Sequence, residues 1–202
     1  MDSADVKDSE LWARSRRDGR AFGQLFERHA DAVYNHCFRR TGSWSKAEDL
    51  TSVVFLEAWR KRKDVRLYSD SILPWLLAVA NNVLRNDSRS LRRYERLLAK
   101  LPKTPEYVGI DTDKKVDDEW VMVRVLDEMR NLRIEEQETV AMCDWAGLTY
   151  AEAAEALGVP IGTIRSRLSR AHEQLRGYLV DVDVATRRST STEGPRDSKE
   201  KK

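Results

Sequence analysis

The chain has 202 residues, 41% of them hydrophobic and 35% charged, enough for one ordinary domain or two small ones with modest cores and a charged surface. A formal net charge of only +2 excludes a general polycation, so any nucleic-acid surface has to come from local segregation of charge. The longest apolar run, Ile72 to Ala80, is too short to cross a bilayer, and the acidic N-terminus lacks the apolar core of a signal peptide. Cys37 and Cys143 stand alone in no metal-ligand spacing, which points to reduced thiols and a cytoplasmic protein.

Strand signals are weak, and apolar residues recur at three- and four-residue spacing almost throughout. Residues 1–8 read as a flexible N-terminus. Ala21, Phe22, Leu25, Phe26, His29, Val33 and Cys37 then share one face of a helix that Gly42 ends. Ala47, Leu50, Val54, Phe55, Ala58 and Trp59 do the same for a second helix, with Ser45 as its expected N-cap. A third helix is predicted from about Ser71 to Leu98, with Pro74 in its first turn, where a missing N–H costs nothing. Its first half is apolar and its second half basic.

The pattern fails between Lys100 and Asp118, which hold Pro102, Pro105 and Gly109 with little periodicity and read as an exposed linker. Helical rhythm returns from Glu119 and holds to about Val180, and residues 181–202 read as a disordered tail. The expected fold is all-α: a helical domain over 9–99, a flexible linker over 100–118 and a second helical domain over 119–180.

Within that second domain, Leu148 to Arg176 has the pattern of a helix-turn-helix. Thr149 with Glu152 makes a capping box, Gly158 permits a left-handed reversal, and Pro160 opens the next helix. On that helix Ile164, Leu168, Ala171 and Leu175 form an apolar stripe, while Arg165, Ser166, Ser169 and Glu173 fall opposite, flanked by Arg167 and Arg170. A helix seated in a major groove needs such a division, with cationic edges for phosphates and hydrogen-bonding groups at the centre for bases. A second basic feature lies in the first domain, where Arg85, Arg89, Arg92, Arg93, Arg96 and Lys100 form a strip suited to phosphate. Asn82 and Asn86, four apart and on one face, each offer a donor and an acceptor to an unstacked base.

These blocks together resemble bacterial RNA polymerase sigma factors of the extracytoplasmic-function (ECF) type. Leu148 to Arg176 is similar to their promoter-reading end. Ala21 to Arg28 resembles their opening helix. Ala47-Glu-Asp-Leu50 with Val54 to Trp59 resembles the segment that docks on the polymerase clamp. Pro74 to Asn82 with Arg85-Asn86 and Arg92-Arg93 resembles the segment that melts and reads the downstream promoter element. The chain departs from the pattern at Thr51, Ser52 and Val53, where a Gln-Glu pair is common, at Asn86 for a frequent aspartate, and at Val79 for isoleucine.

The resemblance implies a factor that binds core RNA polymerase and both double-stranded and melted promoter DNA, without membrane insertion and without a cofactor. Many such factors are also held by an anti-sigma partner. Upstream-element contacts are expected from Thr163, Arg165, Ser166, Arg167, Ser169 and Arg170. Downstream contacts fall to Asn82, Arg85, Asn86, Arg89, Arg92 and Arg93, and clamp docking to Glu48, Asp49 and Leu50. The alternative is a stand-alone helix-turn-helix regulator with a helical dimerisation domain. An enzyme such as a metal-dependent nuclease is disfavoured. His29 and His36 lack nearby paired ligands, Glu135, Glu136 and Glu138 sit where a helix opens, and Asp111-Thr-Asp113 lacks the glycine of a calcium loop.

Overall fold

In a computed structural model the described residues are 6–67, 70–98 and 115–190, and among them the chain is helical and without strands. Helices α1 (Asp8–Ser15), α2 (Gly19–Thr41), α3 (Trp44–Lys61) and α4 (Leu73–Leu98) form the N-terminal module. The C-terminal module holds α5 (Lys115–Met129), α6 (Ile134–Val140), a π-helical turn (Ala141–Trp145), α7 (Tyr150–Leu157) and α8 (Ile161–Thr190). No helix among the described residues is long and apolar enough to cross a membrane.

The N-terminal core forms where the apolar stripes of α1 to α4 meet. Leu25, Val33 and Cys37 of α2, Ala47, Val54 and Ala58 of α3, and Leu76, Leu77 and Ala80 of α4 are all buried. Trp12 is 1% exposed, lies 5.2 Å from the Trp75 ring and donates its indole N–H to the Val65 carbonyl at 2.9 Å. Burying an indole without such an acceptor would leave a desolvated donor unpaired.

Asp8 is the hub of this module. Its carboxylate is 4% exposed and accepts from Arg28 Nη1 at 2.6 Å and from the Ile72 backbone N–H at 3.0 Å, with His29 Nε2 at 2.6 Å. One side chain therefore ties α1 to α2 and to the start of α4. The expectation of a flexible N-terminus thus gives way at Asp8, which begins α1 as a buried residue; residues 1–5 lie outside the described ones.

Three further boundaries differ from expectation. The N-cap of α3 is Ser43, not Ser45, its hydroxyl accepting from Lys46 N–H. Trp44 is drawn into the helix by stacking on Phe38 at 3.5 Å. Helix α5 begins at Lys115, inside the stretch read as linker, of which the part before 115 lies outside the described residues. Helix α8 runs on to Thr190, past the expected start of a disordered tail. Between Gly177 and Thr190 the sequence has no proline, and adding residues to an existing helix is far cheaper than starting one. Gly42 ends α2 as expected, at φ 67°, which a side chain rarely adopts.

The C-terminal core gathers Met129, Leu132, Val140 and Met142 against Leu148, Ala153, Ile164, Leu168 and Ala171. The two modules also touch each other: α7 lies along α4, and α2 meets both α5 and the π-helical turn.

Candidate nucleic-acid interface

The helix-turn-helix forms as its sequence dictates. Thr149 Oγ1 accepts from Glu152 N–H, and Glu152 Oε2 accepts in return from Thr149 N–H at 2.8 Å. Gly158 turns the chain at φ 65°, and its neighbour Val159 donates back to the Ala154 carbonyl at 3.0 Å. The carbonyl of Pro160 then accepts the first bonds of α8, from Thr163 at 2.9 Å and Ile164. Proline thus caps α8 from just outside its first residue. Small Ala153 and Ala154 let α7 approach α8, where Ile164, Leu168 and Ala171 are buried.

That burial fixes the opposite face outward. Arg165, Ser166 and Ser169 are exposed, and Thr163 and Arg167 are half-buried at the margin. Ser166 donates its hydroxyl to the Thr163 carbonyl at 3.0 Å, a bond that solvent or a base edge can replace. Arg170 is differently placed. Its Nε donates to Glu136 Oε1 at 2.9 Å, and Glu136 is 1% exposed. Burial alone would raise the Glu136 pKa, but the Arg170 hydrogen bond and the Arg133 backbone N–H outweigh it and hold the carboxylate below its ordinary range. Arg170 therefore joins α8 to α6, a role its surface position in the sequence did not disclose.

On α4 the asparagines divide by one helical step. Asn82 and Asn86 are exposed, as are Arg89 and Arg93. Asn81 points inward at 3% exposure, accepting from His36 Nε2 at 2.9 Å and donating to Met142 Sδ at 3.4 Å. Burial pushes the His36 pKa down to about 4, so its ring is neutral at physiological pH. Arg92 lies within α4, but its side chain is outside the described residues. Arg85 does not face solvent alone: its guanidinium grips both carboxylate oxygens of Glu138, itself 1% exposed and carried on α6. Between these helices lies a cavity of about 300 Å³ lined by Arg40, Leu84, Arg85, Ser88 and Arg89 on one side and Ile134 and Glu135 on the other.

On α3, Glu48 and Asp49 are exposed but Leu50, at 6%, is turned into the core and presents no surface. What accompanies the two acids is an apolar patch that periodicity could not reveal, because it falls off the buried stripe. Val53 is 43% and Leu56 48% exposed, and Asp49, Val53 and Leu56 follow one another along one helix face. Phe26 of α2, 44% exposed, lies with its ring 4.7 Å from that of Phe55. Among the described residues no group of three or more His, Cys, Asp or Glu side chains could hold a metal ion. The histidines of α2 are spoken for by Asp8 and Asn81.

Comparison with known proteins covers both modules. The Sigma-70 region 2 family model matches residues 25–94 and the Sigma-70 region 4 model residues 122–175. The ECF RNA polymerase sigma factor SigE of Mycolicibacterium smegmatis is 32% identical over 179 residues, covering 84% of this chain and 65% of the relative. BldN of Streptomyces coelicolor, another ECF RNA polymerase sigma factor, is 30% identical over 182 residues, covering 89% of this chain and 69% of the relative. Among solved structures, CnrH in complex with the cytosolic domain of CnrY superposes with a TM-score of 0.63 at 24% identity, covering 87% of this chain and 98% of that one. The sigma factor RpoE in complex with the anti-sigma factor NepR from Bartonella quintana gives 0.56 at 23% identity, covering 79% and 97%. At such identities the structural likeness speaks for the fold.

Proposed function

Because the chain belongs to the ECF sigma factors of bacterial RNA polymerase, we propose that it binds core polymerase, directs it to specific promoters and helps open them, acting in the cytoplasm. The observation that carries this reading is the presence in one chain of two unlike nucleic-acid surfaces. A helix-turn-helix presents Arg165, Ser166 and Ser169, and a separate helix presents Asn82, Asn86, Arg89 and Arg93. A stand-alone regulator needs only the first. No nucleophile or general base is called for, since the work is recognition: phosphate contacts position the duplex and base contacts select it. Base pairs opened at a cost of a few kcal/mol are stabilised when the extruded base meets amides such as Asn82 and Asn86. Region assignments follow: residues 9–99 for polymerase docking and the downstream element, 119–180 for the upstream element. By likeness to RpoE of Bartonella quintana, an anti-sigma protein is the class of inhibitor expected.

Reconstitution tests the whole. The purified chain added to core polymerase and genomic fragments is expected to give discrete transcript starts preceded by two unlike elements at fixed spacing. Palindromic sites bound without polymerase would favour the stand-alone regulator.

Two substitutions address the surfaces singly. Arg165→Ala is expected to lose about 1–3 kcal/mol of upstream-element affinity and to relax preference at one base, as loss of a bidentate guanine contact does. A promoter-variant library with unchanged preference would exclude that role. Leu56→Glu places a charge in the apolar patch beside Glu48 and Asp49, and core polymerase affinity is expected to fall about tenfold, or ~1.4 kcal/mol. Full-strength assembly of the variant with core would remove α3 from the docking surface.

A further inference from the structure

We infer that the cavity between α2, α4 and α6 is a binding site for a small phosphate-bearing molecule, held by the guanidiniums of Arg40, Arg85 and Arg89. The site is distinct from the DNA-reading face of α4 and shares only Arg89 with it.

The cavity holds about 300 Å³, the lower end of the range for small-molecule sites. Two helices bring the three arginines to it: α2 carries Arg40, and α4 carries Arg85 and Arg89 with the Ser88 hydroxyl. Leu84 and Ile134 add apolar wall on which the organic part of a phosphorylated molecule can rest. Glu135 is the acid among the lining residues. It is exposed and makes no ion pair with the arginines among the described residues.

Arg40 is the side chain whose state asks for an anion. Its Nη1 donates to Gln137 Oε1 at 3.0 Å, but its Nε is buried without a hydrogen-bond partner among the described residues. A buried donor left unpaired is costly, more so on a charged group. Burial weakens the hold of Arg40 on its proton; the charge of Glu138 strengthens it, and that of Arg85 weakens it again. Two guanidiniums thus sit close enough to repel, while the buried carboxylate of Glu138 is gripped by Arg85. Arg89 is exposed and has no ion-pair partner among the described residues. A second carboxylate would bring two oxygens and one charge. A terminal phosphate brings three oxygens and nearly two charges, which suits several planar forks at once. A backbone phosphodiester carries one charge and is flanked by sugars on both sides, a poorer fit to a recess that α6 closes. Because α6 forms one wall, an occupant stabilises its place against α2 and α4 in proportion to concentration.

The test is calorimetric titration of the full chain with inorganic pyrophosphate, at about 0.15 M salt to screen loose surface binding. Wild type is expected to bind one pyrophosphate with a dissociation constant of about 0.1 mM or tighter. Arg40→Gln is expected to weaken it about tenfold or more, by removing a charged fork. Glu135→Gln is expected to tighten it about threefold, by removing the opposing acid. Glu10→Gln changes the net charge equally from α1, which packs near Arg28 and His29 rather than Arg40, and is expected to change nothing. No binding by wild type, or an equal gain in Glu10→Gln and Glu135→Gln, would overturn the proposal. Should Arg40→Gln lose its helical circular dichroism, the two glutamate variants still decide. A labelled single-stranded 20-mer followed by anisotropy separates the sources of phosphate. Arg40→Gln is expected to leave its affinity unchanged. Equal losses for oligonucleotide and pyrophosphate would assign the cavity to the DNA backbone and overturn the small-molecule site.

Discussion

Arg170→Ala is expected to destabilise the C-terminal module by about 3 kcal/mol, more than a surface arginine on a DNA-reading helix would cost. The magnitude follows from what is left behind. Glu136, at 1% exposure, would lose its ion-pair partner and retain the Arg133 backbone N–H at 3.1 Å and the nearby Arg133 charge. A buried carboxylate that loses its partner costs more than the intact pair contributed. Native-state hydrogen exchange over α6 and α8 reads the loss directly. Adding Glu136→Gln to the Arg170→Ala chain is expected to recover most of it, since the amide has no charge to strand. Amide protection unchanged in the single variant would show that Arg170 serves DNA alone.

Asp8→Ala is expected to cost the N-terminal module about 3–5 kcal/mol, because it removes the acceptor shared by two donors on α2 and one at the start of α4. Those donors are Arg28, His29 and the Ile72 N–H. Acid titrates the same hub. Burial pushes the Asp8 pKa upward, but hydrogen bonds from His29 and Ile72 and the nearby His29 and Arg28 bring it down to about 2, below the ordinary 3.8. A carboxyl group with a lowered folded pKa stabilises fully above its unfolded value. That contribution is lost as pH falls from about 4 through about 2. Urea melts between pH 6 and pH 2 are expected to show a steeper acid loss for wild type than for Asp8→Asn. Parallel curves would remove Asp8 from the acid response.

The local part of this architecture could be read from residue order alone. Gly42, Gly158 and the Thr149–Glu152 box each mark a turn or cap through residues adjacent in sequence, and the stripes of α2, α3 and α8 repeat at helical spacing, so short-range chemistry announces them. The same logic set Asn82 and Asn86 outward. What it could not supply were partners distant in sequence. Glu138 lies 53 residues from Arg85 and Glu136 lies 34 from Arg170, so both arginines looked like free cations awaiting phosphate. Ile72 lies 64 residues from Asp8, and nothing near residue 8 hints that its carboxylate is needed there. Leu50 misled for the opposite reason. It sits beside the two exposed acids, yet its own place on the stripe sends it inward and leaves Val53 and Leu56 to the surface.

A helix that takes in one residue beyond the regular pitch rotates everything after it by roughly 100°. The π-helical turn at Ala141–Trp145 closes the short rod that α6 opens. Ahead of it, Glu136 and Glu138 engage α8 and α4. Within it, Asp144 meets His172 at 2.7 Å and the Trp145 carbonyl meets Arg39. The segment thus acts as a phasing element that aims one rod at neighbours on several sides. Excising Ala141 would preserve these side chains and still turn Asp144 and Trp145 away from their partners.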